Sequence, residues 1–247
     1  MTKQQTAQRR QLSHQIEKLL PAALTNELRA AQAVLINDLP ESLLCTLSNR
    51  QVTELVTACS CSSWFLKSVS ATPELLLECI KKNRFYCPMQ VLELRKELLS
   101  AATQCTNLEQ LKQLLREIIR REKIIIAWRD LNDLSDLEDN LYHLSQLAEI
   151  ATSVGLDWLT HSLTERHGAP TGDTSGLPAT YSLLALGKLG GGELNFHSDI
   201  DLIPFYSEQG ETDGNKPISN QEFFTQLTRQ LVDLLQSQTA LGLAYNV

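Results

Sequence analysis

Residues 181–206 constrain the fold more than any other stretch of this 247-residue chain, and they read YSLLALGKLGGGELNFHSDIDLIPFY. A short apolar run, Tyr181–Leu186, is bounded by glycine, which is typical of a buried strand. The three consecutive glycines at residues 190–192 let the backbone approach a neighbouring group closely, because no Cβ stands in the way. We predict a short helix over residues 193–196, whose free N–H groups favour a phosphate, and a second strand that begins at Asp199. The stretch therefore predicts the order strand, glycine turn, short helix, strand.

The two aspartates of the Asp-x-Asp sequence, Asp199 and Asp201, carry the predicted chemistry. In a strand, residues i and i+2 point to the same face, so the two carboxylates are expected side by side. Without a cation, keeping two adjacent carboxylates ionised has a high free-energy cost. Mg²⁺ is the expected partner, because it is a hard ion that takes carboxylate oxygens together with substrate phosphates. A glycine turn beside such a metal site indicates phosphoryl or nucleotidyl transfer.

Each half of this pattern also has a purely structural interpretation. A lone Asp-x-Asp commonly caps a turn or lies on a solvated surface, and a lone Gly-Gly is commonly just a turn. The combination at this spacing, between two apolar runs, favours the catalytic interpretation.

The pattern resembles the nucleotidyltransferase superfamily of DNA polymerase β type. The longer string over residues 187–203, GKLGGGELNFHSDIDLI, is similar to the bacterial glutamine synthetase adenylyltransferase/adenylyl-removing enzyme family, which carries two such domains in one long chain. The sequence ELNF at residues 193–196 resembles the first copy, which removes AMP from glutamine synthetase. The resemblance covers roughly residues 60–247 and is strongest after residue 110.

The resemblance implies a mechanism in which phosphate attacks the AMP–tyrosine link of glutamine synthetase and releases ADP, with Mg²⁺ as cofactor. Adenylyl transfer from ATP to glutamine synthetase, or binding without turnover, are the alternatives. The PII signalling protein is an expected partner of the full-length enzyme. Lys188 either neutralises phosphate charge or is solvated, and the sequence leaves both open. The implied site residues are Asp199 and Asp201 as catalytic and metal-binding groups, and Gly190, Gly191, Ser198 and Lys188 as nucleotide- or phosphate-binding groups.

The chain departs from the family pattern at the predicted strand over residues 241–247. In the family such a strand runs directly into an aspartate that completes a three-carboxylate metal site, and here that aspartate would be the next residue. We therefore expect a truncated or fragmentary gene product whose 247 residues alone have little or no activity.

The predicted fold class is α+β, mostly α. Residues 1–130 are predicted to form a helical N-terminal region, and residues 131–247 an incomplete polymerase-β-like nucleotidyltransferase core with a small mixed sheet. Residues 1–36 are predicted to be helical, with an interruption at Pro21. Three capping boxes predict helix starts: Thr106 with Glu109, Ser135 with Glu138, and Ser219 with Glu222.

A basic stripe accompanies the helix that the first of these boxes opens. Its apolar side includes Leu111, Leu115 and Ile118, and the basic residues line much of the other side. The stripe is either a solvated face or a docking surface for an acidic partner or phosphate, and it consists of Lys112, Arg116, Arg120 and Lys123.

Charge and hydropathy restrict the class of function. Residues 181–247 hold eight acidic and three basic side chains, so this stretch contributes −5 to the net charge of −7. An acidic catalytic half argues against a nucleic-acid partner, which requires Lys and Arg along its path. No apolar run has membrane-spanning length, and the polar N-terminus is no secretory signal, so a cytoplasmic location is predicted.

Overall fold

The computed structural model describes residue 43, residues 46–239 and residues 241–247. The helices predicted over residues 1–36 lie outside these described residues. Within the described part of the chain, no helix is both long enough and apolar enough to cross a membrane.

Two compact units interleave along the chain. The first contains the described residues up to Met89 together with Arg120–Asn140, and the second contains Gln90–Ile119 together with the described residues of Leu141–Val247. The sequence predicted one boundary, between residues 130 and 131. That division into a helical region and a catalytic core stays a prediction.

Helices dominate the described residues, and the predicted α+β, mostly α class is confirmed. The strands are short and all lie in the second unit. The helices are α1 (Asn49–Cys61), α2 (Ser63–Ala71), α3 (Pro73–Lys81), α4 (Val91–Ala102), α5 (Leu108–Leu131), α6 (Leu137–His167), α7 (Gly187–Gly190) and α8 (Asn220–Gln236), with a 3₁₀ turn at Arg84–Tyr86. The strands are β1 (Pro170–Gly172), β2 (Tyr181–Leu186), β3 (Asp201–Tyr206) and β4 (Gly210–Thr212).

The predicted small mixed sheet is wrong for the described residues, which form two antiparallel pairs, β1 with β4 and β2 with β3. The connection from β2 to β3 contains only the four-residue helix α7, so the chain returns alongside β2 instead of crossing to a parallel position. The predicted strand over residues 241–247 is wrong as well. Of residues 241–247 only Gly242 takes part in strand-like pairing, in an isolated bridge to Thr239.

The core of the first unit is built around Trp128 of α5. This side chain is fully buried and stacks on Phe85, with ring centroids 4.1 Å apart, while Phe65 lies tilted against it at 6.2 Å. Six residues earlier on the same helix, Glu122 is also fully buried. Its carboxylate accepts hydrogen bonds from Arg84 Nη2 at 3.0 and 3.2 Å and from Arg121 Nε at 2.9 Å.

Replacing Glu122 by alanine is expected to lower the free energy of unfolding by about 3 kcal/mol, because it leaves the arginines of a buried ion pair without their carboxylate. Urea denaturation measures the change. Glu93→Ala is the control, since Glu93 pairs with Lys96 on the solvent side and its loss should cost less than about 1 kcal/mol. Equal effects of the two substitutions would contradict this account of the core.

Two of the three predicted helix caps are displaced by one residue. Asn107, not Thr106, caps α5, because its Oδ1 accepts the Gln110 N–H at 3.0 Å. Asp136, not Ser135, caps α6, with its Oδ1 2.8 Å from the Asp139 nitrogen. The third cap is confirmed: the hydroxyl of Ser219 accepts the Glu222 N–H at 3.1 Å.

Aromatic side chains fix the β2–β3 pair to helix α8 in the second unit. Tyr181 at the start of β2 and Tyr206 at the end of β3 both stack on Phe224, at 5.4 and 5.0 Å. Helix α6 packs closely on α8 at Gly155, where an added Cβ would lie 2.6 Å from a methyl group of Leu234. The inner face of the strand pair thus rests on α8, and the opposite face is open to solvent.

Candidate active site

The Asp-x-Asp sequence lies where β3 begins. Asp201 is the first residue of β3 and pairs with Leu186, the last residue of β2. Asp199 precedes the strand, so β3 begins two residues later than the predicted start at Asp199. Both aspartates are exposed, whereas Ile200 between them is fully buried, so the alternation directs both carboxylates toward solvent.

Neither carboxylate is used by the fold. Among the described residues, none forms a hydrogen bond or ion pair with the side chain of Asp199 or Asp201. Two exposed, unpartnered carboxylates fit a hard divalent cation such as Mg²⁺. The described part of the chain contains no group of three or more His, Cys, Asp or Glu residues placed to hold a metal.

Gly187 shapes the position of Asp201, a role that our sequence reasoning missed. Its φ is +55°, a conformation that L side chains rarely adopt. A Cβ at this position would lie 2.6 Å from Oδ2 of Asp201. The Asp201 carboxylate therefore lies against the bare backbone of Gly187. The signal in the sequence was a glycine directly after the β2 apolar run, ahead of the glycine triplet.

The glycine triplet ends a helix and does not begin one. Helix α7 closes in a Schellman motif, in which the Gly192 N–H bonds to the Leu189 carbonyl at 3.0 Å and the Glu193 N–H bonds to the Lys188 carbonyl at 2.7 Å. Gly192, with φ +71°, makes this turn possible. The predicted helix over residues 193–196 is wrong, because residues 193–195 are irregular and residue 196 begins a turn.

The predicted phosphate-binding glycines differ in their surroundings. A Cβ on Gly190 would lie 2.5 Å from the Ala185 carbonyl oxygen, so close packing on β2 is enough to explain this glycine. A Cβ on Gly191 would meet nothing nearer than 3.6 Å. Both glycines are exposed, and their contact with phosphate stays a prediction.

Lys188 and Ser198, for which the family resemblance implies phosphate binding, lie near each other. The Lys188 Nζ is 3.5 Å from the Ser198 hydroxyl, which donates a hydrogen bond to Asn195 Oδ1 at 2.7 Å. Lys188 is exposed and forms no ion pair with any described residue. Its ammonium group is thus held beside the turn that leads into Asp199.

Two hydrogen bonds that the sequence did not reveal hold this turn from either side. The buried Ser145 hydroxyl on α6 accepts the Leu194 N–H at 3.0 Å. The carbonyl of Asn246 accepts the N–H of Ile200, the residue between the two aspartates, at 2.9 Å. No local pattern could have predicted either bond, since the partners are distant in sequence.

The predicted basic stripe on α5 is not a solvated face where it passes through the second unit. Lys112 and Arg116 are both buried. The Lys112 ammonium contacts Asp233 at 2.8 Å and Glu109 at 2.9 Å, and the pKa of Asp233 is lowered chiefly by its hydrogen bond from Lys112. These two cations therefore act inside the fold and are not a docking surface.

A glycine turn followed by an exposed Asp-x-Asp at the start of a strand is the pattern by which the sequence resembles nucleotidyltransferase-type proteins. Residues 52–247 match the family described as glutamate-ammonia ligase adenylyltransferase. The chain belongs to this family.

Curated relatives agree with this assignment, and each carries the name bifunctional glutamine synthetase adenylyltransferase/adenylyl-removing enzyme. The relative from Thioalkalivibrio sulfidiphilus is 39% identical over 175 residues, which make up 71% of this chain and 18% of that protein. The relative from Shewanella oneidensis is 35% identical over 212 residues, 83% of this chain and 21% of that protein. The relative from Pseudomonas aeruginosa is 37% identical over 174 residues, which make up 70% of this chain and 18% of that protein. The chain thus spans about a fifth of the length of the relatives it matches.

Proposed function

We propose that this chain carries the site that removes AMP from adenylylated glutamine synthetase by phosphorolysis, yielding ADP and the free tyrosine. The observation that carries the proposal is the pair of exposed carboxylates, Asp199 and Asp201, that the fold leaves without partners. The turn that bears them is held by two hydrogen bonds that its own N–H groups donate, from Leu194 to the Ser145 hydroxyl and from Ile200 to the Asn246 carbonyl. A fixed backbone that presents carboxylates without partners is preorganised, as electrostatic stabilisation of a transition state requires.

Asp199 and Asp201 are the proposed Mg²⁺ ligands. A bound Mg²⁺ would polarise the phosphodiester and stabilise the negative charge on the tyrosyl oxygen as it leaves. Lys188, beside Ser198, is placed to neutralise phosphate charge. Gly191, which has no close neighbour at its Cβ position, leaves its backbone accessible to a phosphate oxygen.

The proposed reaction balances without a further reactant. An oxygen of inorganic phosphate forms a bond to the phosphorus of the AMP group, and the bond from that phosphorus to the tyrosyl oxygen breaks. The AMP group, now bonded to the incoming phosphate, leaves as ADP, and the tyrosyl oxygen takes up a proton from solvent.

The direction and the partners rest on the family. The names of the relatives contain both adenylyl transfer and adenylyl removal, and both concern glutamine synthetase. The sequence ELNF at residues 193–196 resembles the removing copy, which favours phosphorolysis. Control by the PII signalling protein is part of the proposal for the full-length enzyme.

Turnover is best tested in a chimera, because the chain covers about a fifth of its relatives. Residues 52–247 replace the matching part of the Shewanella oneidensis relative, and the chimera is given adenylylated glutamine synthetase, Mg²⁺ and phosphate. Chromatography is expected to show ADP that forms only when phosphate is present. A second reaction with unmodified glutamine synthetase and ATP tests the opposite direction.

The outcomes separate the alternatives. One outcome is that the chimera adds AMP to glutamine synthetase from ATP at a rate that Asp199→Asn in the inserted segment does not change. The second catalytic domain of the chimera would then be responsible, and the removal assignment would stand. Adenylylation that is lost with Asp199→Asn would instead reverse the direction. Binding of adenylylated glutamine synthetase without phosphate-dependent ADP would reduce the segment to a binding module.

A further inference from the structure

Arg116 on helix α5 is buried in an unusual way for an arginine. It is 2% exposed, and among the described residues it forms no ion pair with a carboxylate. Burial lowers the pKa of its guanidinium, while Glu109 and Asp233 act in the opposite direction. An arginine remains charged at neutral pH, so this charge must be compensated by dipoles.

Backbone carbonyls provide that compensation. Arg116 donates to the carbonyl of Lys112 on its own helix at 2.9 Å and to the Leu234 carbonyl near the end of α8 at 3.1 Å. It also donates to the carbonyls of Ser237 and, at 3.0 Å, Gly242. The guanidinium therefore joins the last turn of α8 to the segment that follows it, where free carbonyls carry the negative end of the helix dipole.

The segment held by Arg116 leads directly to the candidate site. The N–H groups of Ala244 and Tyr245 both donate to the Leu235 carbonyl, at 3.0 and 3.1 Å. Gln236 Nε2 donates to Asn246 Oδ1 at 2.9 Å and to the Val247 carbonyl at 2.7 Å. The Asn246 carbonyl then accepts the N–H of Ile200 at 2.9 Å.

We propose that Arg116 is a positioning residue for the metal-binding carboxylates. By fixing Ser237 and Gly242 it sets the path of the chain that carries Asn246. The Asn246 carbonyl in turn holds the backbone of Ile200 between Asp199 and Asp201. This proposal rests on the proposed function, in which Asp199 and Asp201 bind Mg²⁺ and must therefore be held in place.

A matched pair of substitutions separates positioning from general stability. Arg116→Met removes all four carbonyl contacts and keeps the apolar stem. Lys112→Met, one turn earlier on the same helix, removes the contacts to Asp233 and Glu109 but none to the carbonyls of the chain-end segment. Hydrogen exchange at the Ile200 amide and ADP binding in the presence of Mg²⁺ are measured on the 247-residue chain, together with its unfolding in urea.

Arg116→Met is expected to speed exchange at Ile200 by about 10-fold beyond the change that Lys112→Met causes, since charge-assisted hydrogen bonds are lost. The dissociation constant for ADP with Mg²⁺ is expected to rise by about 10-fold for the same reason, against less than about 2-fold in Lys112→Met. Equal exchange in the two variants, after correction for unfolding stability, would overturn the proposal.

Two further results keep the outcomes distinct. If Arg116→Met does not fold, Gln236→Met tests the next link of the same path, and unchanged exchange at Ile200 in that variant would overturn the proposal. If the unsubstituted chain binds no ADP with Mg²⁺, the proposed function fails, while the exchange comparison still decides the role of Arg116.

Discussion

Asp201→Asn, introduced into the chimera that carries residues 52–247, is expected to lower the rate of phosphate-dependent ADP release by at least about 100-fold. Asparagine keeps the size of the side chain but removes the charge that a Mg²⁺ ligand supplies, and charge stabilisation by a bound metal accounts for several kcal/mol of a reaction barrier. Because Asp201 is exposed and has no partner among the described residues, the fold should be unaffected. The measurement is ADP release at saturating phosphate, with circular dichroism as the check on folding.

Asp173→Asn is the matched control for this result. Asp173 is also an exposed aspartate in the second unit, and its side chain has no partner among the described residues. Its loss changes the net charge by the same amount and should change the rate by less than about 2-fold, as expected for a solvated surface charge. A similar fall in both variants would mean that the effect comes from overall charge and not from the site.

Gly187→Ala is expected to weaken Mg²⁺-dependent ADP binding by about 10-fold or more, because displaced supporting groups around a metal commonly cost 10- to 100-fold in affinity. The added methyl would meet Asp201 Oδ2 at 2.6 Å, so the carboxylate must move. The positive φ of Gly187 adds a backbone cost of about 1–2 kcal/mol that should appear as reduced stability. Titration calorimetry and urea denaturation measure the two effects separately.

Gly192→Ala is a control of the same kind in the same connection. Gly192 also has a positive φ, +71°, but a Cβ there has nothing within 4 Å. We expect this variant to lose a similar amount of stability and to keep ADP binding within about 2-fold, since only the backbone cost applies. Equal losses of binding in the two variants would show that the loop conformation, and not the contact with Asp201, controls the site.

Strand β2 and the cap of α8 were predictable from the sequence because they depend on local chemistry. An apolar run bounded by glycine fixes the bounds of β2 at Tyr181–Leu186, as predicted, but alternate residues are exposed, so the predicted burial of this strand is wrong. Ser219 caps α8 because a hydroxyl, a glutamate three residues later and an amphipathic run coincide there. For α5 and α6 two adjacent residues were competent to cap each helix, and the pattern alone does not distinguish Thr106 from Asn107.

The connections between distant parts of the chain were not predictable. The hydrogen bonds from the Leu194 N–H to Ser145 and from the Ile200 N–H to Asn246 depend on how α6 and residues 244–247 meet the turn. The basic stripe on α5 was open to two interpretations because periodicity identifies a face but not what covers it. Arg116 is covered by backbone carbonyls to which it donates hydrogen bonds, and such carbonyls have no sequence signature.

The most direct test of the central claim is a titration of ADP into the 247-residue chain, with Mg²⁺ and then with EDTA. The claim that Asp199 and Asp201 form a metal-dependent nucleotide site predicts saturable binding with Mg²⁺, loss of that binding with EDTA, and the same loss in the Asp199→Asn/Asp201→Asn double variant. Binding of equal strength in EDTA, or in the double variant with Mg²⁺, would contradict the claim.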